Sequence, residues 1–294
     1  MADLTAFEQQ RGRLWGIAYR ITGSVADADD AVQETWLRWQ RLPDGEAEDP
    51  RAYLGTVISR ICYDQLTSAR ARRESYLGPW LPEPVVTAAG PEERAALDDS
   101  VSTALLTVLE RLTPAERAAF VLHDVFAVSF PEIAEIVDRT PDAVRQLASR
   151  ARRRVRAEAP RRTVDRAEHR RAVDAFLAAA MGGDVEALLE VLDPEVVWRS
   201  DGGGRVTAAR VPVVGREQVA RFIEHLTRSF VPGRSWIAVY EVNGAPGLVV
   251  GDPEAGWAGV YAFTVHEGRV VAIDASLNPD KLVHLDMEAL RPSP

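Results

Sequence analysis

Apolar positions recur at helical spacing through the first half of the chain and alternate at strand spacing through the last third. Leu14, Ile17, Ala18 and Ile21 keep a helical period, and Thr22-Gly23-Ser24 breaks it. The period resumes over 26–41 with Ala31, Val32, Thr35, Trp36 and Trp39. The stretch LPDGEAEDP is a Pro-, Gly- and acid-rich break, after which Tyr53, Leu54, Val57, Ile58, Ile61 and Leu66 mark a third helix over 51–73. After Pro194 the pattern becomes strand-like: VVWRS, RVTAAR, SWIAVYEV, GLVVG, WAGVYAFTVH and RVVAIDASL, with one helix predicted over 217–230. The order of elements predicts two all-α domains followed by an α+β domain built on an antiparallel curved sheet.

The segment SFPEIAEIVDRTPDAVRQLASRARRRVR (129–156) predicts two helices joined by a tight turn at 137–139. Thr140, Pro141 and Asp142 form a helix-start signal, since proline has no N–H to leave unsatisfied in a first turn. Ile133, Ile136, Val137, Val144 and Leu147 join the pair through one small core. The second helix carries Arg145, Arg150, Arg152, Arg153, Arg154 and Arg156, with Gln146 and Ser149 free to face outward. A capped basic helix behind a short turn is the geometry that places side chains in a DNA major groove.

The formal charge of the 294 residues is −9, which argues against indiscriminate nucleic-acid binding and for local contact with a partner's help. A single cysteine, Cys62, excludes an intrachain disulfide and a thiolate zinc site. Lys281 is the only lysine beside 34 arginines. No signal peptide and no apolar run of about 20 residues is visible, so a cytoplasmic protein with no membrane partner is expected. The histidines have no metal spacing, and no phosphate loop or paired nucleophile and base is present, so neither cofactor nor catalysis is expected. Residues 76–95 hold four prolines and two glycines and read as a linker, yet Tyr76, Leu77, Trp80, Leu81, Val85 and Val86 make it too apolar for a free tether. The expected division is 1–75, a linker at 76–97, a second helical domain at 98–159 and a final domain at 164–294.

Asp27–Trp39 and Pro50–Glu74 resemble the clamp-binding and promoter-melting helices of sigma domain two. The segment 112–126 with 129–154 resembles sigma domain four. In this order they resemble an extracytoplasmic-function sigma factor of RNA polymerase. The last third resembles a SnoaL-like, cone-shaped α+β domain. WLPEP (80–84), DGGGR (201–205) and NPDKL (278–282) are similar to the hallmark strings of the subgroup with a fused SnoaL-like extension. Arg205 stands where that subgroup often has lysine, which keeps the charge and changes the donor geometry.

The resemblance implies core RNA polymerase and promoter DNA as partners. Asp27, Asp29, Asp30, Gln33, Glu34 and Trp36 are the candidates for polymerase binding, with Asp29, Gln33 and Trp36 on one helical face. Arg60, Tyr63, Asp64, Gln65, Arg70, Arg72 and Arg73 are the candidates at the minus-ten element, where a separated strand needs stacking and positive charge. At the minus-thirty-five element, Arg145, Gln146 and Ser149 are positioned to read bases, and Arg150, Arg153 and Arg154 to touch phosphates.

For the last third, the expectation is control in cis. Asp201 with Gly202, Gly203, Gly204 and Arg205 forms one loop, and Asn278, Pro279, Asp280 and Lys281 another. The two are expected to hold Trp80, Leu81, Pro82 and Glu83, making a separate anti-sigma protein unnecessary. A second possibility is a small-molecule ligand in a concave pocket lined by Trp198, Asp201, Tyr261 and His266.

Overall fold

The computed structural model describes residues 4–43, 46–74, 76–87, 102–158 and 165–292, without the side chains of 69–74. Residues 88–97 of the expected linker, its boundary at 98, the hinge at 159–164 and the side chains of Arg70, Arg72 and Arg73 lie outside the described residues. The described residues of 1–75 and 105–159 form one compact unit, and those of 76–104 and 160–294 another.

In the first unit, α1 (Leu4–Thr22), α2 (Val25–Gln40) and α3 (Pro50–Glu74) pack around Leu14, Ile17, Ile21, Ala28, Ala31, Leu54 and Ile58, all fully buried. Ser24 caps α2 by accepting from the Asp27 N–H. The later helices are α4 (Thr103–Glu110), α5 (Pro114–Phe120), α6 (Phe130–Val137) and α7 (Pro141–Glu158). Thr113 with Glu116 and Ser129 with Glu132 close capping boxes on α5 and α6. Asp138, left-handed at φ 51°, ends α6, and Thr140 accepts from the Ala143 N–H to start α7. This is the helix-turn-helix expected from the sequence, closed by Ile133, Val137, Val144 and Ala148.

One buried ion pair ties the helical segments together. Arg117 is 1% exposed; its Nη1 reaches Glu110 Oε1 at 2.6 Å and its Nε donates to the Arg20 carbonyl at 3.0 Å. Gly23 allows this approach, because a Cβ there would lie 2.3 Å from the Glu110 carboxylate. Glu110→Ala would leave the guanidinium buried without its counter-charge. It should destabilise this unit by about 3–5 kcal/mol in a urea titration, with Glu110→Gln retaining part of the loss.

The second unit contains α8 (Arg166–Gly182), α9 (Val185–Val191), β2 (Leu192–Asp201), β3 (Val213–Val214), α10 (Arg216–Thr227), β4 (Trp236–Val242), β5 (Ala245–Asp252), β6 (Trp257–His266) and β7 (Arg269–Ser276). With β1 at Val86–Thr87, the sheet order is β1-β4-β5-β6-β7-β2-β3, antiparallel except for the β2–β7 pair. β1 comes from the linker itself: Val86 pairs with Val242 and Thr87 with Glu241. The stretch RVTAAR, expected as a strand, is irregular, with a turn at Arg205 and bends at Val206 and Arg210, and pairing resumes only at Val213. Phe176, Val196, Trp198, Val219, Ile223, Phe263 and Ile273 fill the core between the helices and one sheet face. A smaller cluster of Trp236, Val242, Val249, Val260, Ala262 and Leu282 includes Val86 from the linker and Leu285, Met287 and Leu290 from the C-terminal segment at its margin.

His169 on α8 is buried, with Nε2 3.1 Å from the Pro246 carbonyl, and burial holds its pKa below the ordinary 6.5. The folded unit binds this proton less readily than the unfolded chain. The stabilisation is therefore complete above 6.5 and falls as pH drops through that value toward the depressed one. Denaturant midpoints of the full chain should decline between pH 7 and 5, and less steeply for His169→Gln.

Candidate functional site

The second unit grips the linker at a buried carboxylate. Asp201 ends β2 and is 0% exposed, and Lys281, in a 3-10 turn at Pro279–Lys281, is 4% exposed. Lys281 Nζ lies 2.7 Å from Asp201 Oδ2, and the same oxygen accepts from the Leu81 N–H at 2.8 Å. Asp201 Oδ1 accepts from the Tyr76 hydroxyl and from the Gly203 N–H at 3.2 Å. The carboxylate thus receives four donors, which meets the cost of burying it.

Lys281 also donates to the Leu81 carbonyl, so one linker residue offers an N–H to the acid and a C=O to the base. The ammonium stands 3.4 Å from the centroid of the Trp80 ring, and the Tyr76 and Trp80 rings meet edge to face at 4.5 Å. Leu81 is 1% exposed. Burial, and then the bond to Asp201, push the Tyr76 hydroxyl well above its ordinary pKa, so it remains a donor.

The DGGGR and NPDKL loops meet here for steric reasons. Asn278 caps the 3-10 turn through the Asp280 N–H and donates from Nδ2 to the Tyr76 hydroxyl at 2.9 Å. Gly203 has φ 59°, and a Cβ on it would lie 2.3 Å from Asn278 Nδ2. Gly204, also at positive φ, lies beside Leu77, and Gly202 packs tightly against Val206 and Ala208. Pro82 is buried and Glu83 half-buried. Arg205 pairs with Asp280 at 3.1 Å in the open, an exposed pair of small energetic weight.

A second attachment follows along the linker. His284 Nε2 lies 2.8 Å from the Pro84 carbonyl. Asn243 donates its N–H to the Val85 carbonyl at 2.8 Å, and its side-chain oxygen accepts from the Val85 N–H at 3.3 Å. Beyond it, β1 covers the edge of β4. Asn243 and His284 were absent from the residues expected to make this contact, and Tyr76 was expected only as apolar surface of the linker. The Asn243-Gly244 pair signals a hairpin turn in the sequence, and nothing local marks its side chain as a linker hook.

Of the four residues expected to line a pocket, Tyr261 alone borders the large cleft of this unit. Trp198 is core, with Nε1 donating to Ser200 Oγ at 2.7 Å; Asp201 belongs to the clasp; and His266 ends β6 at the hairpin with β7.

In the first unit, Asp29, Asp30 and Gln33 are exposed on α2, while Asp27, Glu34 and Trp36 are half-buried. Trp36 leans on Phe7 with ring centroids 4.9 Å apart, and Asp29 accepts from the Trp15 indole at 2.8 Å. On α3, Arg60 and Asp64 are exposed and Tyr63 and Gln65 half-buried; Arg60 faces Glu135 of α6 at 3.9 Å. On α7, Arg145, Gln146, Ser149, Arg150, Arg153 and Arg154 are all exposed. Arg145 pairs with Asp142 and lies over the Phe130 ring, Arg150 bonds Glu116 at 2.9 Å, and Arg154 donates to the Arg111 carbonyl at 3.0 Å. Burial alone would raise the Glu116 pKa, but the bonds from Arg150 and Thr113 hold it below the ordinary range. No helix among the described residues is long and apolar enough to cross a membrane.

Three family models match the chain: Sigma-70 region 2 over residues 6–72, Sigma-70, region 4 over 102–155, and SnoaL-like domain over 173–273. The ECF RNA polymerase sigma factor SigJ of Mycobacterium tuberculosis is 41% identical over 99% of this chain and 97% of its own length. Probable ECF RNA polymerase sigma factor SigI of the same species is 36% identical over 96% of each. The crystal structure of M. tuberculosis SigJ superposes with a TM-score of 0.78 at 38% identity, covering 96% of this chain and 98% of that one.

Lys281→Met should expose the linker by leaving Asp201 short of its counter-charge. Thermolysin should then cut before Leu77 at least about tenfold faster than in the unaltered chain, read by mass spectrometry, since about 3–5 kcal/mol rests on such a pair.

Proposed function

The chain belongs to the extracytoplasmic-function sigma factors of RNA polymerase, which direct transcription initiation, and on that footing we propose that its SnoaL-like domain governs initiation in cis by holding the linker. The observation that carries this reading is the Asp201–Lys281 pair, completed by the backbone and rings of Tyr76, Trp80 and Leu81. Both charged groups belong to the SnoaL-like domain, and apart from each other and the Gly203 N–H the groups they bind belong to the linker. Releasing the linker returns the acid and the base to water rather than leaving them stranded, so the contact is reversible despite its burial. Holding residues 76–87 fixes the path of the segment between the two sigma regions, and with it the separation over which they engage a promoter.

In the same reading, Asp27, Asp29, Asp30, Gln33, Glu34 and Trp36 dock on core polymerase. Arg60, Tyr63, Asp64, Gln65, Arg70, Arg72 and Arg73 serve the minus-ten element, with Arg145, Gln146 and Ser149 reading minus-thirty-five bases. Arg150 and Arg154 exchange their present partners for phosphates, and the exposed Arg153 joins them there. The exposure of the described α7 arginines supports this, because swapping a surface pair for a phosphate costs little. Control resides in the chain itself, and a separate anti-sigma protein is not required.

In-vitro transcription with core polymerase on a promoter library tests the reading. The full chain, a chain ending at Arg162, one lacking 283–294 and Lys281→Met should initiate at the same promoters, with yields differing by about 5–150-fold, the range of a 1–3 kcal/mol coupling. Equal yields from all four would end the case for control in cis.

A further inference from the structure

Of the three side chains assigned to minus-thirty-five bases, Arg145 alone is held in place by other side chains among the described residues. Its Nη1 donates to the Asp142 carboxylate one turn earlier on α7, and its guanidinium carbon stands 5.6 Å from the centroid of the Phe130 ring. The Asp142 and Arg145 side chains are 83% and 55% exposed, so the ion pair is weak by itself and lets the guanidinium pivot about the shared edge. A ring against the guanidinium at cation–π distance restrains that pivot.

Phe130 is held in turn. It is the first residue of α6, half-buried, and its ring stacks on His123 with centroids 3.9 Å apart and planes 27° apart. His123 Nδ1 lies 3.0 Å from the Val128 carbonyl. That contact needs the chain to double back on itself. One π-helical turn at Val121–Val125 and a left-handed Ala127 at φ 56° accomplish it, and the Val128 N–H then reaches the Leu122 carbonyl at 2.9 Å. A π-helical turn and a non-glycine residue at positive φ are both unfavourable conformations, and such strain gathers where it positions a functional group. Here it starts a line of contacts from the Val128 carbonyl through an imidazole and a phenyl ring to a guanidinium on the helix that faces DNA.

We propose that Phe130 is a positioning residue for promoter readout: it holds the plane of the Arg145 guanidinium so that the edge turned away from Asp142 meets a guanine. The role rests on the assignment of Arg145 to a base. A bidentate contact needs two N–H groups in the plane of guanine O6 and N7, and an arginine already held flat loses less freedom in making it. The phosphate contacts assigned to Arg150, Arg153 and Arg154 do not involve the ring, so Phe130 acts on sequence preference rather than on overall affinity.

The full chain with core polymerase, bound to duplexes randomised across the minus-thirty-five element, reports the preference at each base pair when the retained DNA is sequenced. Arg145→Ala should erase the preference for guanine at one pair. Phe130→Leu should lower the preference at that pair alone by about two- to tenfold, the value of ordering one flexible side chain. Phe130→Tyr should restore it, and Phe130→Met should match Phe130→Leu. In the Arg145→Ala chain, Phe130→Leu should change nothing further. The salt dependence of binding should be the same for Phe130→Leu as for the unaltered chain, since phosphate contacts set it. Each selection runs below the melting transition of the chain used, so a less stable variant is still measured.

A loss spread evenly over all base pairs, or the same loss from Phe130→Leu with and without Arg145, would make Phe130 a packing residue and overturn the proposal. Intact preferences in Arg145→Ala would overturn the assignment of Arg145 to a base, and the role of Phe130 with it. A preference lost in Arg145→Ala and kept in Phe130→Leu would overturn the role of Phe130 alone.

Discussion

A carboxylate with no exposed surface has to be given donors by the fold around it, and in the C-terminal unit most of what surrounds Asp201 exists for that purpose. Lys281 supplies the charge, the Gly203 N–H one bond, and the linker the remaining two through Leu81 and Tyr76. The linker therefore completes the coordination of a charged pair that the domain already holds. An apolar groove would retain any hydrophobic segment; this site also requires a backbone N–H and C=O from one residue and a hydroxyl five residues earlier. That requirement explains the glycine at 203, since Gly203 must admit Asn278 for the Tyr76 hydroxyl to be oriented from both sides.

The helical unit is built on a related principle with the opposite consequence. Arg117 and Glu110 are also buried, but there the charges close on the Arg20 carbonyl at the end of α1, so the pair joins two helical segments rather than waiting for a third. One buried pair fastens a core and the other accepts a removable segment. What separates them is where the partners lie in the chain. The core pair is seven residues apart, whereas Asp201 and Lys281 are 80 apart and bind groups about 120 and 200 residues before them.

The helix-turn-helix was legible because its signals are local: Ser129, Asp138 and Thr140 act on backbone within four residues. The strands of the last third were legible from alternation, with one error. RVTAAR alternates like a strand, but Gly203 and Gly204 at positive φ turn the chain before it, and its residues border the cleft and a loop instead of a partner strand. The linker contact was legible through motif strings, which named Trp80, Leu81, Asp201 and Lys281 as one group. Tyr76, His284 and Asn243 were not, because each acts across roughly 125–200 residues and has no periodic or spacing signature. The edge strand at Val86 escaped for a similar reason: two residues carry no alternation, and pairing with β4 is decided by the fold of the receiving sheet.

Lys281 holds the only ε-amine in the sequence, and its side chain is 5% exposed. An acylating reagent aimed at lysine therefore meets no competing side chain in this protein, and meets Lys281 only in molecules whose linker has left. The rate of its acylation is a clock for linker release, readable as the mass increment on the peptide that carries Lys281. Each acylated molecule has also lost the charge that would have drawn Asp201 and the linker back, so the reaction that counts the open molecules also holds them open.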